Sequence, residues 1–192
     1  MIYCIGRNYA KHAKELGNTV PQGAPVVFFK PPASIALSGE TIKLPAYSKE
    51  VHFELELAFR FNENLEAGEI AVANDLTARD KQREAQEKKT PWSLAKGFKK
   101  SCGLGNWVSA KNIDLQNLEL KLTLNDQLKQ HGFTKDMLFS IPVIIEYLKE
   151  TFPVEPGDIV LTGTPEGVGP VVAGDVIDAE IIGLSKAQWK FI

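Results

Sequence analysis

The run Val51-His52-Phe53-Glu54-Leu55-Glu56-Leu57-Ala58-Phe59-Arg60-Phe61 constrains the fold more than any other segment. Phe53, Leu55, Leu57, Phe59 and Phe61 share one face of an extended strand, and His52, Glu54, Glu56 and Arg60 share the other. A period of two excludes a helix here. Glu54 and Glu56, at i and i+2, place their Cα atoms roughly 6.5–7 Å apart. Both carboxylates can therefore lean toward one hard cation, whose oxygen ligands sit at about 2.0–2.6 Å. Alternating Glu is also the ordinary pattern of a solvated strand face, and spacing alone leaves both readings open.

Asp75 offers a third carboxylate. It follows the short apolar segment 70–73, and with Asn74 it is expected to cap a polar, exposed helix over Thr77 to Lys89. Three carboxylates with open positions suit Mg²⁺ or Mn²⁺. His12 and Glu15 fall at i and i+3 on an expected helix from Arg7 to Leu16, where Tyr9, Ala13 and Leu16 make the apolar side. A carboxylate in that position can orient an imidazole as a general base, although Lys11 and Lys14 also make it look like a surface face. Arg79 and Gln82 form a second i, i+3 pair. With Lys96 they could hold an anionic substrate, or they could be solvated, as most Arg and Lys are. His52 is expected behind the carboxylates rather than among the ligands, and His131 is expected in solvent. The segment Leu161-Thr162-Gly163-Thr164-Pro165-Glu166-Gly167-Val168-Gly169-Pro170 reads either as a plain hairpin connection or as a tight loop able to approach a ligand, with the Thr164 hydroxyl available. It lacks the ending of a phosphate-binding P-loop.

Strands are also expected at 1–6, 26–30, 41–44 and 118–124, and after the turns Pro156-Gly157-Asp158 and Ala173-Gly174-Asp175. Residues 17–25 and 62–68 read as loops, and Ser140 is expected to cap a helix through Leu148 with Ile141, Ile144, Ile145 and Leu148 buried. No linker or low-complexity stretch divides the chain, so a single strand-rich α+β domain over 1–192 is expected. The 192 residues suffice for one real core, with 44% hydrophobic and 24% charged residues. A net charge of −2 without a basic block speaks against a nucleic-acid surface. There is no long apolar run that would span a membrane. The start shows no signal-peptide pattern, and Cys4 and Cys102 make neither a metal spacing nor a disulfide framework, so a cytoplasmic location with reduced thiols is expected.

Taken together, Gly6-Arg7-Asn8-Tyr9-Ala10-Lys11-His12, His52-Phe53-Glu54-Leu55-Glu56-Leu57, Asn74-Asp75-Leu76-Thr77-Ala78-Arg79-Asp80, Lys96-Gly97-Phe98 and the glycine-rich loop with Thr164 resemble the fumarylacetoacetate hydrolase family, in family order from Cys4 to the C-terminus. The compact length is similar to its small acylpyruvase-type members. The resemblance implies a mixed β-sandwich roll and a homodimer. It implies Glu54, Glu56 and Asp75 as ligands of Mg²⁺ or Mn²⁺, and His12 with Glu15 as a water-activating pair on a lid that includes the 17–25 loop. It places Lys96 and Gln82 in catalysis, and Arg7, Tyr9, Arg79 and Thr164 around the substrate. Two departures, Lys99-Lys100 after Phe98 and Gly103 after Cys102, bear on the end group of the substrate.

The activity so implied is metal-dependent hydrolysis of a carbon–carbon bond in a 2,4-dioxo acid such as fumarylpyruvate or acetylpyruvate. The alternatives are decarboxylation or tautomerisation of oxaloacetate, isomerisation of 2-hydroxyhepta-2,4-diene-1,7-dioate, and, from another class, a cation-stabilised binding domain without catalysis.

Overall fold

The computed structural model describes residues 1–15 and 23–192. In chain order its elements begin with β1 (Ile2–Gly6), α1 (Ala10–Glu15), β2 (Val26–Lys30), β3 (Ile35–Leu37), β4 (Thr41–Ile42), β5 (Val51–Phe53) and β6 (Leu55–Phe61). The middle third carries β7 (Ala67–Asp75), β8 (Thr77–Ala78), α2 (Arg79–Lys88), α3 (Ser93–Lys96), β9 (Cys102–Leu104), β10 (Val108–Ser109) and β11 (Glu119–Leu124). The last third adds β12 (Gln127–Phe133), α4 (Ile141–Thr151), β13 (Ile159–Leu161), β14 (Gly169–Val171), β15 (Val176–Ile181) and β16 (Ser185–Phe191).

The strand-rich α+β expectation holds. One sheet runs β2-β1-β13-β6-β7-β9-β3, with β10 added to β7. A second runs β12-β11-β15-β16-β4, and a short third runs β14-β5-β8. Phe53, Leu55, Leu57, Phe59 and Phe61 do share a face. They enter the main core with Leu120, Leu122, Ile177, Ile181, Trp189 and Phe191 of the second sheet. That contact is the sandwich, and its driving force is removal of these apolar faces from water.

The opposite face of β6 is not wet. Ala58 packs with Ile2, Cys4, Ala73, Cys102, Leu104 and Leu161, and Phe28 of β2 and Ile35 of β3 pack on the same cluster. Those two strands are the opposite ends of the first sheet. A sheet whose two ends meet one cluster must curl, and the curl covers the face that alternation assigns to solvent. The small side chains Ala58, Ala73, Cys4 and Cys102 leave room inside the roll. Both thiols are free and buried.

Other expectations need correction. The run 52–61 is two strands, broken at Glu54. Asn74 and Asp75 do not cap a helix: they are the last two residues of a nine-residue strand, and α2 begins after Ala78 with no side-chain cap. That helix is not wholly exposed, because Arg79, Gln82 and Ala85 are buried. Helix α1 starts at Ala10 rather than Arg7, since Arg7 has φ 60°, a left-handed turn conformation. Leu16 and residues 17–22 of the expected lid loop lie outside the described residues, as does the Ala13 side chain. The strand at 41–44 ends at Ile42. Ser140 precedes α4 without a side-chain cap; of the expected stripe Ile141, Ile144 and Leu148 are buried, and Ile145 is only partly so. Among the described residues no helix is long and apolar enough to cross a membrane.

Gly103 has a packing reason. A Cβ there would lie 2.8 Å from the Trp189 ring, and Trp189 is fully buried. Gly103→Ala is expected to destabilise the protein by about 1–3 kcal/mol through overpacking, read from the urea midpoint at unchanged slope.

Candidate metal centre and active-site cleft

The register of β6 and β7 assembles the carboxylates. Leu55 pairs with Asn74 and Glu56 with Ala73, so the end of β7 lies opposite the break at Glu54. The Asp75 N–H donates to the Glu54 carbonyl at 2.8 Å, and the Glu54 N–H donates to Asn74 Oδ1 at 3.0 Å. One oxygen from each of Glu54, Glu56 and Asp75 falls within 4.8 Å of the others, and all three side chains are buried. The three predicted ligands are therefore one cluster.

Three cations answer these carboxylates unequally. Lys96 Nζ donates to Glu54 Oε2 at 2.9 Å, Asp75 Oδ2 at 2.6 Å and Thr77 Oγ1 at 2.6 Å, which uses all three of its hydrogens. It also lies 4.8 Å from the centre of the Phe28 ring. Arg79 donates to Glu54 Oε1 and to Gln82 Oε1. Lys30, unremarked in the sequence, is fully buried, and its ammonium donates to the carbonyls of Leu76, Lys96 and Ser101. It lies 2.8 Å from Asp75 Oδ1 as an ion pair. Because its hydrogens are already committed to carbonyls, Asp75 Oδ1 is buried without a hydrogen-bond donor.

Glu56 has no cationic partner among the described residues. It accepts one hydrogen bond, from the Gly163 N–H at 2.6 Å, and is 2% exposed. Burial, then the charges of Asp75 and Glu54, push its carboxyl well above the usual carboxylate range. Burial acts on Glu54 in the same direction, but the Lys96 and Arg79 charges outweigh it and hold that carboxyl well below the range. Burial also works against the Lys96 ammonium; Asp75 and Glu54 overcome it, and its pKa is raised.

These observations fit a divalent cation. The donor set is all oxygen, one carboxylate lacks a counter-charge, and one carboxylate oxygen lacks a donor. Oxygen donors of this kind suit Mg²⁺ and Mn²⁺ alike.

The carboxylates line a cleft shared with Arg7, His12, Arg79, Gln82, Lys96 and Thr164, and with Phe28, Gln86 and Trp92. His12 is 5% exposed, and its Nδ1 faces Glu15 Oε2 at 3.2 Å. A proton held on Nδ1 by that carboxylate leaves Nε2 as the basic nitrogen. Glu15 itself does not line the cleft; its other oxygen accepts from the Gly167 N–H at 3.0 Å and ties α1 to the glycine-rich loop. Tyr9 is not brought to the cleft. It is 2% exposed, and its hydroxyl is buried without a partner. His52 stands behind the site: Nε2 meets Glu50 at 2.8 Å and Nδ1 accepts from Arg79 Nε at 3.5 Å. Burial and the Arg79 charge lower its pKa. His131 is exposed and pairs with Glu119. Lys100 turns away to Glu40 and the Thr41 carbonyl, so the Lys99-Lys100 departure does not reach the cleft lining.

Sequence reasoning missed Lys30, Asn74, Thr77 and Gln130. Lys30 sits among apolar residues of a strand, where a lysine with no neighbouring acid in sequence can only be buried if a distant carboxylate answers it. That was the available signal.

Residues 1–191 match the family described as fumarylacetoacetate (FAA) hydrolase C-terminal. A bovine relative, oxaloacetate tautomerase FAHD1, mitochondrial, is 42% identical over 200 residues, covering 98% of this chain and 90% of the bovine one. The oxaloacetate decarboxylase, mitochondrial, of Dictyostelium discoideum is 39% identical over 195 residues, covering 95% and 89%. In fold, the chain is similar to a fumarylpyruvate hydrolase from Pseudomonas aeruginosa crystallised with Mn²⁺ and pyruvate. The TM-score is 0.93 at 29% identity, over 100% of this chain and 88% of that one.

Proposed function

The chain belongs to the fumarylacetoacetate hydrolase family, and from that premise we propose that it is a divalent-metal-dependent enzyme that forms and protonates the enolate of a small 2-oxo diacid, with oxaloacetate tautomerisation or decarboxylation as its main activity. The observation that carries the reading is the convergence, in one cleft, of three buried carboxylates and the His12 imidazole. The named relatives at 39–42% identity support oxaloacetate chemistry ahead of acylpyruvate hydrolysis. Hydrolysis of a 2,4-dioxo acid remains the second reading, supported by the fold likeness to the fumarylpyruvate hydrolase.

Glu54, Glu56 and Asp75 would hold Mg²⁺ or Mn²⁺, which when bound supplies a Lewis acid for the substrate carboxylate and 2-oxo oxygen. His12, held by Glu15, takes the C3 proton of the keto form at Nε2 while a proton is delivered to the 2-oxo oxygen to give the enol, and the reverse transfers restore the keto form; in hydrolysis the same nitrogen takes a proton from water. Decarboxylation breaks the C3–C4 bond and needs only the enolate to be stabilised and then protonated. Arg79, at the cleft wall, supplies fixed positive charge toward an anionic substrate. Gln82, Arg7 and Thr164 orient it. Lys96 can serve the enolate only by exchanging one of its three present bonds for the substrate oxygen. The proposal extends to a single domain over 1–192, a homodimer and a cytoplasmic location.

The test is a substrate panel of oxaloacetate, acetylpyruvate and fumarylpyruvate, with Mn²⁺ and with chelator. Oxaloacetate enol–keto exchange or pyruvate release is expected to be fastest and chelator-sensitive. His12→Gln is expected to lower the rate about 10²–10⁴-fold with Mn²⁺ affinity unchanged. Full activity in that variant would remove His12 as the base, and no turnover of any of the three acids would favour a binding domain.

A further inference from the structure

Gln130 belongs to β12, in the second sheet, outside every motif that pointed to the cleft. It is 1% exposed and fully engaged. Its Oε1 accepts from the Leu55 N–H at 2.8 Å, and its Nε2 donates to Thr164 Oγ1 at 2.8 Å and to the Pro165 carbonyl at 2.9 Å. The partners fix the amide's orientation: a backbone N–H on one side demands oxygen, and a carbonyl on the other demands nitrogen.

Both ends of this bridge lead to the site. The Leu55 N–H lies at the strand break, between the two carboxylates Glu54 and Glu56. Thr164 lines the cleft. An amide nitrogen can only donate, so Thr164 Oγ1 is the acceptor in that bond and its own hydrogen must point elsewhere. Within the described residues its one acceptor is the Pro165 carbonyl at a long 3.3 Å, an oxygen shared with the Gln130 amide at 2.9 Å, so a better-placed ligand oxygen can take the hydrogen. The strand behind the loop is also tight. A Cβ on Gly132 would lie 2.7 Å from Pro165, and one on Gly167 would lie 2.3 Å from the Lys129 carbonyl. The loop is thus seated on β12 at close contact, with Gln130 at its centre.

We propose that Gln130 is a positioning residue which orients the Thr164 hydroxyl as a hydrogen donor to an anionic oxygen of the bound substrate, while its carbonyl end holds the peptide between Glu54 and Glu56. Which substrate oxygen is served rests on the function proposed above; the direction of the hydrogen bond does not.

Gln130→Glu separates the two ends, because it keeps an acceptor for Leu55 and removes the donor to Thr164. Three readouts apply: affinity for Mn²⁺ alone, affinity of the Mn²⁺-loaded protein for oxalate, and kcat and KM for oxaloacetate. Oxalate serves as a planar dianion resembling the enolate. Gln130→Glu is expected to bind Mn²⁺ within about threefold of wild type and to lose about 10- to 100-fold in oxalate affinity and kcat/KM. Thr164→Val should show the same loss, Thr164→Ser should not, and the double variant should lose no more than either single one, as coupled neighbours do. Gln130→Met, which frees both ends, should lose Mn²⁺ affinity as well. Losses that multiply in the double variant, or full oxalate affinity in Thr164→Val, would overturn the proposal. If Gln130→Glu does not fold, Gln130→Met decides, and full oxalate affinity in it would overturn the proposal. If wild type turns over none of the acids, the function falls, and the oxalate measurements still decide the role of Gln130.

Discussion

Replacing Glu56 with glutamine is expected to weaken Mn²⁺ binding at least a hundredfold, abolish turnover, and leave the metal-free fold as stable as wild type or more so. Most ligand substitutions harm both metal and fold; this one should not. Glu56 is buried beside Glu54 and Asp75 with no cation of its own, and its pKa is pushed well up by burial and by those neighbours. The metal-free protein therefore carries it protonated across the ordinary carboxylate range, and glutamine reproduces that neutral form in shape. The pH dependence follows. An unfolded Glu titrates near ~4.3. Between that point and the raised folded value the unfolded chain has lost the proton and the folded chain has kept it. Metal-free stability from Glu56 accordingly falls as pH rises through that window. Glu54 has the opposite sign: its lowered pKa contributes stability above the ordinary range, lost as pH falls below it. Urea midpoints in chelator from pH 5 to 9 should show the downward slope in wild type and a flatter one in Glu56→Gln. Metal binding must also displace the Glu56 proton, so apparent Mn²⁺ affinity should climb by about tenfold per pH unit in the same window. A pH-independent Mn²⁺ affinity would contradict the assignment of Glu56 as the proton carrier.

Lys96→Met is expected to cost about 3–5 kcal/mol in the metal-free protein, the usual penalty for removing one partner of a buried ionic group. Glu54 Oε2 and Asp75 Oδ2 both lose the ammonium that now bonds to them. Lys30 still faces Asp75 and Arg79 still faces Glu54, which places the cost at the lower end of that range. A bound divalent ion brings positive charge to the same carboxylates, so Mn²⁺ should raise the melting temperature of the variant more than that of wild type. Turnover should fall by about 10²–10³ even with saturating metal, the cost of removing one donor aimed at developing negative charge. A metal-free variant as stable as wild type would show that the Lys96 pairs contribute nothing net, as some buried ion pairs do.

Much of this site was legible in the chain, for a local reason. Glu54 and Glu56 are two residues apart on a strand, His12 and Glu15 three apart on a helix, and Arg79 and Gln82 three apart on another. Each spacing states which side chains share a face, and in each case the structure agrees. Lys96 and Thr164 are legible only as residue types that could meet a ligand, with no spacing to fix them, and it is the resemblance that gives them roles. Tyr9, carried over in the same way, is buried away from the cleft lining, because Arg7 takes the turn and α1 starts only at Ala10.

What the sequence by itself determined is the strand-rich class, the apolar face of residues 53–61 and the shared face of Glu54 and Glu56, because periodicity and short spacings act within one element; Asp75 joins them only through the register of β6 and β7. The tertiary structure alone decided that the carboxylate face is dry. Periodicity says which way a side chain points, and not what lies over it; here the curl of the first sheet brings β2 and β3 over that face. With water excluded, each charge needs a partner, and the partners come from far along the chain. Lys30 reaches Asp75 from β2, and Gln130 reaches the Leu55 peptide from β12. Glu56, the one carboxylate left without a cation among the described residues, owes that isolation to this long-range pairing.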